Sequence, residues 1–311
     1  YVHFGNDLLK YGDESVSLLS QSGETLWSQN YEMSSPESSI RGSTAVIYDK
    51  RGTSMYVIRT SGPVGPVATD FPIVKAEGDS LNLSSESAIL MDAESGKILY
   101  EKNIDEKLPM ASMTKIMSML LIMENIDNGS LSYDDKVLIS ENASGMGGSQ
   151  VFLQAGEEYT VNDLLKCIAV SSANDAVVAM AEKISGSVDA FVNLMNEKAK
   201  ELGLVNTNFA NPHGLDNEEH YSTAYDMAVM ARELLRHEDV LKYTSIYEDY
   251  LTKPDGSQIW LVNTNRLVRF YDGVDGLKTG YTTEAGYCLT ATAKKNDLRL
   301  ISVVMKSPSA E

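Results

Sequence analysis

A serine and a lysine lie three residues apart in the segment Pro-Met-Ala-Ser-Met-Thr-Lys, which ends at Lys115. Long apolar residues follow from Ile116 to Ile126 without glycine or proline, so the sequence predicts a buried helix that starts near Pro109. Residues three apart face the same side of a helix, which would place Ser112 against Lys115. An amine of lowered pKa can take the proton of a serine hydroxyl. The pair therefore predicts a serine nucleophile with its own lysine base.

Two further motifs follow along the chain. Ser172-Ala173-Asn174 lies where the helical pattern is interrupted, so its polar groups are expected to face a cleft. Lys278-Thr279-Gly280 leads into the C-terminal strands. Ser-x-x-Lys alone should occur about once by chance in a chain of this length. Specificity comes from the combination of a nucleophile at a helix start, Ser-x-Asn in a helix break and Lys-Thr-Gly on a strand.

The first part of the chain differs from the rest in its residue pattern. Over residues 1–77, short runs of β-branched and aromatic residues alternate with turn clusters, which predicts an antiparallel β-meander. The turn Ser-Gly-Glu-Thr-Leu-Trp at 22–27 resembles a turn of a propeller blade, so the segment is interpreted as a partial propeller-like blade. The Gly- and Pro-rich residues 61–66 predict a loop. Residues 78–86 are predicted to be a linker.

Residues 87–311 are predicted to form one domain of the α+β class. A hairpin is predicted at 88–101, helices are predicted through the middle, and a last hairpin is predicted at 288–305. Thr160 and Asp163 have the spacing of a capping box at the start of one helix. We expect one antiparallel sheet built from the N- and C-terminal strands, with a helical subdomain inserted between them.

Composition excludes several classes of function. The net charge of −18 argues against a nucleic-acid partner. Histidine and cysteine spacings give no metal-binding pattern, so no metal is expected, and Cys167 and Cys288 are predicted to be buried free thiols. No apolar run approaches the roughly 18 residues that span a bilayer. The sequence has no leader at Tyr1, so any export signal is expected to have been removed or to lie outside it.

Residues from about 85 to 306 resemble the D-alanyl-D-alanine carboxypeptidases, which are the low-molecular-weight penicillin-binding proteins. The three motifs have the order of signatures found in penicillin-binding proteins and β-lactamases. Similar stretches begin at Ala88 (Ala-Ile-Leu-Met-Asp-Ala), Asn211 (Asn-Pro-His-Gly-Leu-Asp), His220 (His-Tyr-Ser-Thr-Ala-Tyr-Asp) and Asp275 (Asp-Gly-Leu-Lys-Thr-Gly-Tyr-Thr-Thr). The resemblance implies the DD-peptidase and β-lactamase-like fold.

The resemblance implies a role for each residue of the first two motifs. Ser112 would attack the carbonyl between two D-alanines and form an acyl-enzyme, and Lys115 would take its proton. Ser172 would relay a proton to the departing D-alanine. Asn174 would hold the peptide amide and help to position Lys115.

The third motif is implied to bind the substrate. Lys278 and Thr279 would hold the terminal carboxylate, which gives an acidic protein a local cation for an anionic substrate. Gly280 would leave room for the substrate backbone. The backbone N–H groups of Ser112 and Tyr281 would form the oxyanion hole. No cofactor is implied.

The implied function is a serine D,D-carboxypeptidase of the bacterial envelope, extracytoplasmic, which trims peptidoglycan stem peptides ending in D-Ala-D-Ala and is acylated by β-lactam antibiotics. A D,D-endopeptidase would use the same residues, and a non-catalytic sensor that binds penicillin or peptidoglycan stays open. A β-lactamase is disfavoured because Ala173 replaces the Asp of Ser-Asp-Asn. The family's domain continues past the strand near Lys306, so truncation at Glu311 is expected. Membrane attachment is expected only through segments outside this sequence.

Overall fold

The computed structural model describes residues 1–5, 7–41, 44–59, 62–69, 73 and 83–310. The chain divides into two units, Tyr1–Leu83 and Ser84–Glu311. The predicted linker begins within residues 74–82, which lie outside the described residues. The domain bounds at 77 and 86 therefore stay predictions.

The first unit contains two antiparallel four-stranded sheets, each paired in the order of the sequence. Their strands are β1 (Val2–Phe4), β2 (Asp7–Tyr11), β3 (Ser15–Leu19), β4 (Thr25–Asn30), β5 (Pro36–Arg41), β6 (Thr44–Asp49), β7 (Ser54–Arg59) and β8 (Gly62–Ala68). Leu9 and Val16 from the first sheet share one buried cluster with Ile47 and Ile58 from the second. The predicted meander is confirmed, and its likeness to a propeller blade stays a prediction.

The prediction of a loop at 61–66 is wrong for its described residues. Strand β8 pairs with β7, opposing Pro63 to Ile58 and Pro66 to Tyr56. Strand β8 is the last strand in the order of its sheet, where it pairs with β7. Proline is tolerated in such a strand, since its missing N–H is needed only on the paired side. Ser61 lies outside the described residues.

The second unit alternates helices with short hairpins between two groups of longer strands. In chain order its elements are β9 (Ser87–Asp92), β10 (Ile98–Lys102), α1 (Lys115–Asp127), β11 (Lys136–Leu138), α2 (Glu141–Ser144), β12 (Glu158–Thr160), α3 (Val161–Ser171), α4 (Asn174–Ser185), α5 (Val188–Glu201), α6 (Ala224–Leu234), α7 (Leu241–Thr244), β13 (Glu248–Thr252), β14 (Gln258–Val262), α8 (Leu267–Phe270), β15 (Val274–Thr282), β16 (Gly286–Lys295) and β17 (Leu298–Ser307). Two 3-10 turns, Ala111–Thr114 and Glu238–Val240, precede α1 and α7.

The main sheet joins strands from both ends of this unit. Its order is β10-β9-β17-β16-β15, with every pair antiparallel, so β17 pairs with β9 across the whole helical region. This arrangement confirms the predicted α+β class and the inserted helical subdomain. The predicted capping box is also present, since Thr160 and Asp163 exchange hydrogen bonds at the start of α3.

Helix α1 is the centre of the second unit. Every residue from Lys115 to Met123 is buried, and α3, α4, α5 and α6 pack against the helix. A helix that is apolar on all sides is stable only when it is surrounded in this way. Within the described part of the chain, no helix combines the length and the apolar character needed to cross a membrane.

Candidate active site

Ser112 and Lys115 meet at the junction between the first 3-10 turn and α1. Ser112 lies in the 3-10 turn and Lys115 is the first residue of α1, so the buried helix predicted to start near Pro109 is present and begins with a 3-10 turn at Ala111. Side chains three apart are eclipsed in a 3-10 helix, which keeps both on one side. Lys115 Nζ lies 3.0 Å from Ser112 Oγ. The predicted pairing of the two side chains is therefore present.

Lys115 has no exposed surface and donates to two fixed acceptors. Its Nζ lies 2.7 Å from Asn174 Oδ1 and 2.7 Å from the backbone oxygen of His213. Burial lowers the pKa of Lys115 well below its usual range, and the nearby cation Lys278 lowers it further, while Asp175 opposes both effects. This environment favours the neutral amine, which is the form that can accept a proton.

Asn174 is held by the predicted helix break. Helix α3 ends at Ser171, the capping residue Ser172 has a left-handed backbone with φ of 60°, and α4 begins at Asn174. Asn174 Nδ2 donates to the Gly147 carbonyl at 2.8 Å, and this bond turns Oδ1 toward Lys115. Ser172 Oγ is buried and makes no hydrogen bond among the residues that the structure describes. The break thus brings Asn174 to Lys115 and leaves a buried hydroxyl two residues away.

Strand β15 carries the four remaining predicted residues. Lys278 is buried, its Nζ donates to the Thr279 backbone oxygen at 3.0 Å, and burial lowers its pKa to about 7. Thr279 Oγ1 donates to Thr264 Oγ1 at 2.6 Å. The Tyr281 ring is exposed and lies 4.5 Å from the Tyr287 ring.

Gly280 lets β15 lie directly against the 3-10 turn. A Cβ at this position would be 2.8 Å from the Met110 carbonyl oxygen and 3.1 Å from the Ser112 backbone nitrogen. Carbon atoms do not approach oxygen so closely without displacement, so a side chain here would push the strand away from Ser112. The sequence interpretation gave Gly280 room for a ligand backbone, and the structure adds this close contact with the nucleophile turn.

A cleft of about 340 Å³ opens at Ser112. Three of the eight predicted residues line it, namely Ser112, Asn174 and Tyr281. The other five are not among its lining residues: Lys115, Ser172, Lys278, Thr279 and Gly280. The other lining residues are Gly148, Ser149, His213, Gly214, Leu215 and Thr282. No group of acidic, histidine and cysteine side chains suited to a metal ion occurs among the described residues. Cys167 and Cys288 are buried and free, as predicted.

Residues 73–309 match the D-alanyl-D-alanine carboxypeptidase family, peptidase S11. The chain belongs to this family. A second match, to a family of unknown function (DUF5711), covers residues 1–111. The family assignment confirms the resemblance drawn from the three motifs.

Relatives and solved structures within this family are numerous. The D-alanyl-D-alanine carboxypeptidase DacF of Bacillus subtilis is 61% identical over 220 residues, which is 71% of this chain and 57% of DacF. DacC of Escherichia coli is 41% identical over 72% of this chain and 57% of its own length. Penicillin-binding protein 5 of Haemophilus influenzae superposes with a TM-score of 0.69 at 39% identity, over 73% of this chain and 66% of that one. The chain thus spans a little over half the length of these curated relatives.

Two contributors to the site were absent from the sequence interpretation. The first is the backbone carbonyl of His213, which accepts from Lys115. The second is Asp175, a buried carboxylate that accepts from the backbone N–H groups of Val151 and Leu153 at 3.1 Å each. A charged residue within the apolar pattern of α4 was the available signal for Asp175. The carbonyl of His213 had no signal in residue types.

Proposed function

We propose that this chain is a serine D,D-carboxypeptidase that removes the terminal D-alanine from peptidoglycan stem peptides through an acyl-enzyme at Ser112. The observation that carries the proposal is the placement of Lys115, buried within 3.0 Å of Ser112 Oγ and held by two other acceptors. A non-catalytic binder has no need of a buried amine whose pKa is lowered. A base for Ser112 does need one.

The hydrogen-bond partners of Lys115 define which way its lone pair points. A neutral amine has two hydrogens and one lone pair. The Asn174 Oδ1 atom and the His213 carbonyl only accept, so they take both hydrogens. The lone pair is then directed at Ser112 Oγ, the third atom within reach. Ser112 would therefore donate its proton to Lys115 without any rearrangement of the site.

The proposed reaction proceeds in two stages. As the bond from Ser112 Oγ to the substrate carbon forms, the Oγ proton moves to Lys115 and the carbonyl electron pair moves onto its oxygen. Return of that pair breaks the C–N bond, and the proton held by Lys115 passes through Ser172 Oγ to the departing D-alanine amine. Water then hydrolyses the ester and regenerates Ser112. The buried hydroxyl of Ser172, which is free of other partners among the described residues, suits this relay.

Strand β15 would bind the substrate. Protonated Lys278 and the Thr279 hydroxyl would hold the terminal carboxylate, and the N–H groups of Ser112 and Tyr281 would face the developing oxyanion. Gly280 supports this assignment because it allows the two chain segments that carry those N–H groups to lie in contact. A bound carboxylate would also neutralise the Lys278 cation, which repels a charge on Lys115.

The substrate class implies a place of action and a class of inhibitor. The stem peptides of assembled peptidoglycan lie outside the cytoplasm, so we propose an extracytoplasmic location. One structural relative, penicillin-binding protein D2 of Listeria monocytogenes, was solved with ampicillin bound and is 34% identical. We propose that β-lactams acylate Ser112 in the same way as the peptide. An endopeptidase would act on cross-linked dimers, so parallel assays with a pentapeptide and a dimer separate the two activities.

The function is tested by intact-mass spectrometry after incubation with benzylpenicillin. We expect wild type to gain the mass of one penicillin, Ser112→Ala to gain none, and the pentapeptide to release D-alanine only with wild type. The variant lacks the nucleophile, and its smaller side chain leaves the fold intact. An adduct on Ser112→Ala, or a folded wild type that is neither acylated nor active on the pentapeptide, would refute the proposal.

Gly214 provides a second test of the geometry. Gly214→Ala is expected to slow acylation about 100-fold, because a Cβ at this position would be 1.9 Å from the Ala111 carbonyl oxygen and would displace the nucleophile turn. Gly186→Ala is the matched control, since Gly186 also has a positive φ but a Cβ there would meet no described atom within 4 Å. Both variants carry backbone strain, so comparable acylation rates would show that the contact with Ala111 is unimportant.

A further inference from the structure

Two buried polar side chains next to the nucleophile have no part in the proposed reaction. Thr114 lies between Ser112 and Lys115, and His220 lies in the loop before α6. Thr114 Oγ1 is 2.7 Å from His220 Nε2 and donates to the Ala111 backbone oxygen at 2.7 Å. Ala111 is the residue directly before Ser112. The two side chains therefore connect a distant loop to the peptide unit that leads into the nucleophile.

The direction of each hydrogen bond between Ala210, His220, Thr114 and Ala111 follows from the donors and acceptors present. The Ala210 backbone N–H donates to His220 Nδ1 at 3.0 Å, so Nδ1 is the acceptor of the ring. In a neutral imidazole the other nitrogen then carries the hydrogen, and His220 Nε2–H donates to Thr114 Oγ1. The only hydrogen of the Thr114 hydroxyl remains for the Ala111 carbonyl. Burial, followed by the charge of Lys115, lowers the pKa of His220 to about 4 and keeps the ring neutral.

The Ala111 carbonyl controls where the Ser112 N–H points. A trans peptide is planar and its C=O and N–H groups point in opposite directions, so fixing one fixes the other. Ala111 has a φ of 46°, a left-handed conformation that a residue with a side chain adopts only when its surroundings hold it. The Ser112 nitrogen lies close both to Gly280, the residue before Tyr281, and to Gly214. Fixing the Ala111 carbonyl therefore fixes the direction of the Ser112 N–H, whose nitrogen lies beside strand β15.

We propose that His220 and Thr114 are positioning residues, which hold the Ala111–Ser112 peptide so that the Ser112 N–H points at the substrate oxyanion. This inference rests on the proposed acyl transfer at Ser112. It adds a contribution to transition-state stabilisation from the Thr114 hydroxyl and the His220 imidazole, which touch neither substrate nor reacting atoms. Loss of the Thr114 hydroxyl frees the peptide to rotate, and the oxyanion then loses one of two donors.

The test replaces Thr114 by Val, which has the same shape and lacks the hydroxyl. We expect kcat for pentapeptide cleavage to fall about 10- to 100-fold with little change in KM, since an interaction made only in the transition state is weakened. Affinity for a peptide boronic acid, whose tetrahedral adduct places an oxygen at the oxyanion position, should fall by the same factor. Thr114→Ser restores the hydroxyl and should restore both quantities.

Thr290→Val is the matched control. Thr290 is also buried, and its hydroxyl lies 3.2 Å from Met113 Sδ on the same 3-10 turn without touching the Ala111 carbonyl. We expect this variant to keep wild-type kcat and boronate affinity. His220→Phe keeps the ring contact with Phe209 and removes the donor to Thr114, so it should give a smaller loss in both measurements.

The outcomes separate this inference from the proposed function. If wild type is acylated and cleaves the pentapeptide while folded Thr114→Val and His220→Phe keep wild-type kcat, the positioning role is refuted and the function stands. A rise in KM without loss of boronate affinity also refutes it, because that result indicates damage to substrate binding. If Thr114→Val does not fold, His220→Phe and Thr114→Ser decide the question. A wild type that is neither acylated nor active refutes the function itself.

Discussion

Replacement of Lys115 by Met is expected to slow acylation of Ser112 by benzylpenicillin about 10²- to 10⁴-fold, the usual contribution of a general base. Methionine has a similar volume and no lone pair of comparable basicity. Asn174 and the His213 carbonyl lose their donor, but Ser112, the oxyanion donors and Lys278 stay in place. The rate is measured from the growth of the acyl-enzyme mass with time.

The pH dependence of the same rate identifies the base. Lys115 must be neutral to accept a proton, so the wild-type rate should fall as the pH drops through its lowered pKa. Lys115→Met should lose this fall, because the group that titrates is gone. Lys183→Met is the control, since Lys183 lies on the exposed side of α4. If Lys115→Met is acylated at the wild-type rate, or if its acylation rate still decreases at low pH, another group is the base.

The pairing of Ser112 with Lys115 was predictable because spacing along one short segment is a local property. The type of helix was not. The 3-10 turn begins at Ala111 with a positive φ, and the glycines at 214 and 280 pack directly against that turn. Both glycines come from segments more than ninety residues further along the chain, so no local pattern around Ser112 reports them.

The second fixed acceptor of Lys115 also could not be predicted from the sequence. His213 accepts from Lys115 through its backbone oxygen, a group that every residue possesses. Sequence patterns distinguish side chains, so a carbonyl brought into place by a distant loop has no signature. Asn174 was predictable because a polar triplet interrupted an apolar helical pattern, and the interruption is where α3 ends and α4 begins.

Strand β8 is likewise an element that its local sequence does not predict. Glycine and proline in residues 62–66 oppose a central strand, and the local pattern therefore predicts a loop. Whether a strand lies at the edge of a sheet depends on what pairs beside it, which the segment itself does not encode. The hairpins β9–β10 and β16–β17 were predictable because their apolar runs and turn residues are contiguous.

Lys278→Met is expected to stabilise the second unit while it removes activity on the pentapeptide. Burial lowers the pKa of Lys278 to about 7, and its Nζ donates only to the backbone oxygen of Thr279 among the hydrogen bonds of the described residues. Replacing buried ionic groups by well-packed apolar residues of similar volume is often neutral or stabilises proteins by about 1–4 kcal/mol. We expect the free energy of unfolding at pH 6 to rise within this range. Urea unfolding followed by helical circular dichroism measures it, since all the described α-helices lie in the second unit.

The gain in unfolding free energy from Lys278→Met should decrease as the pH rises. Between pH 7 and the usual lysine pKa near 10.5, the unfolded chain binds the Lys278 proton and the folded chain does not. Unfolding of wild type therefore becomes less favourable as the pH rises through this window, and the advantage of Lys278→Met shrinks. Loss of the Lys278 cation also removes its repulsion of a charge on Lys115. This effect also favours the stability of Lys278→Met at low pH. A variant that is less stable than wild type at pH 6, or a difference that does not change with pH, would mean that Lys278 is not held as a buried cation. The site would then lack the buried cation that the proposed carboxylate binding requires.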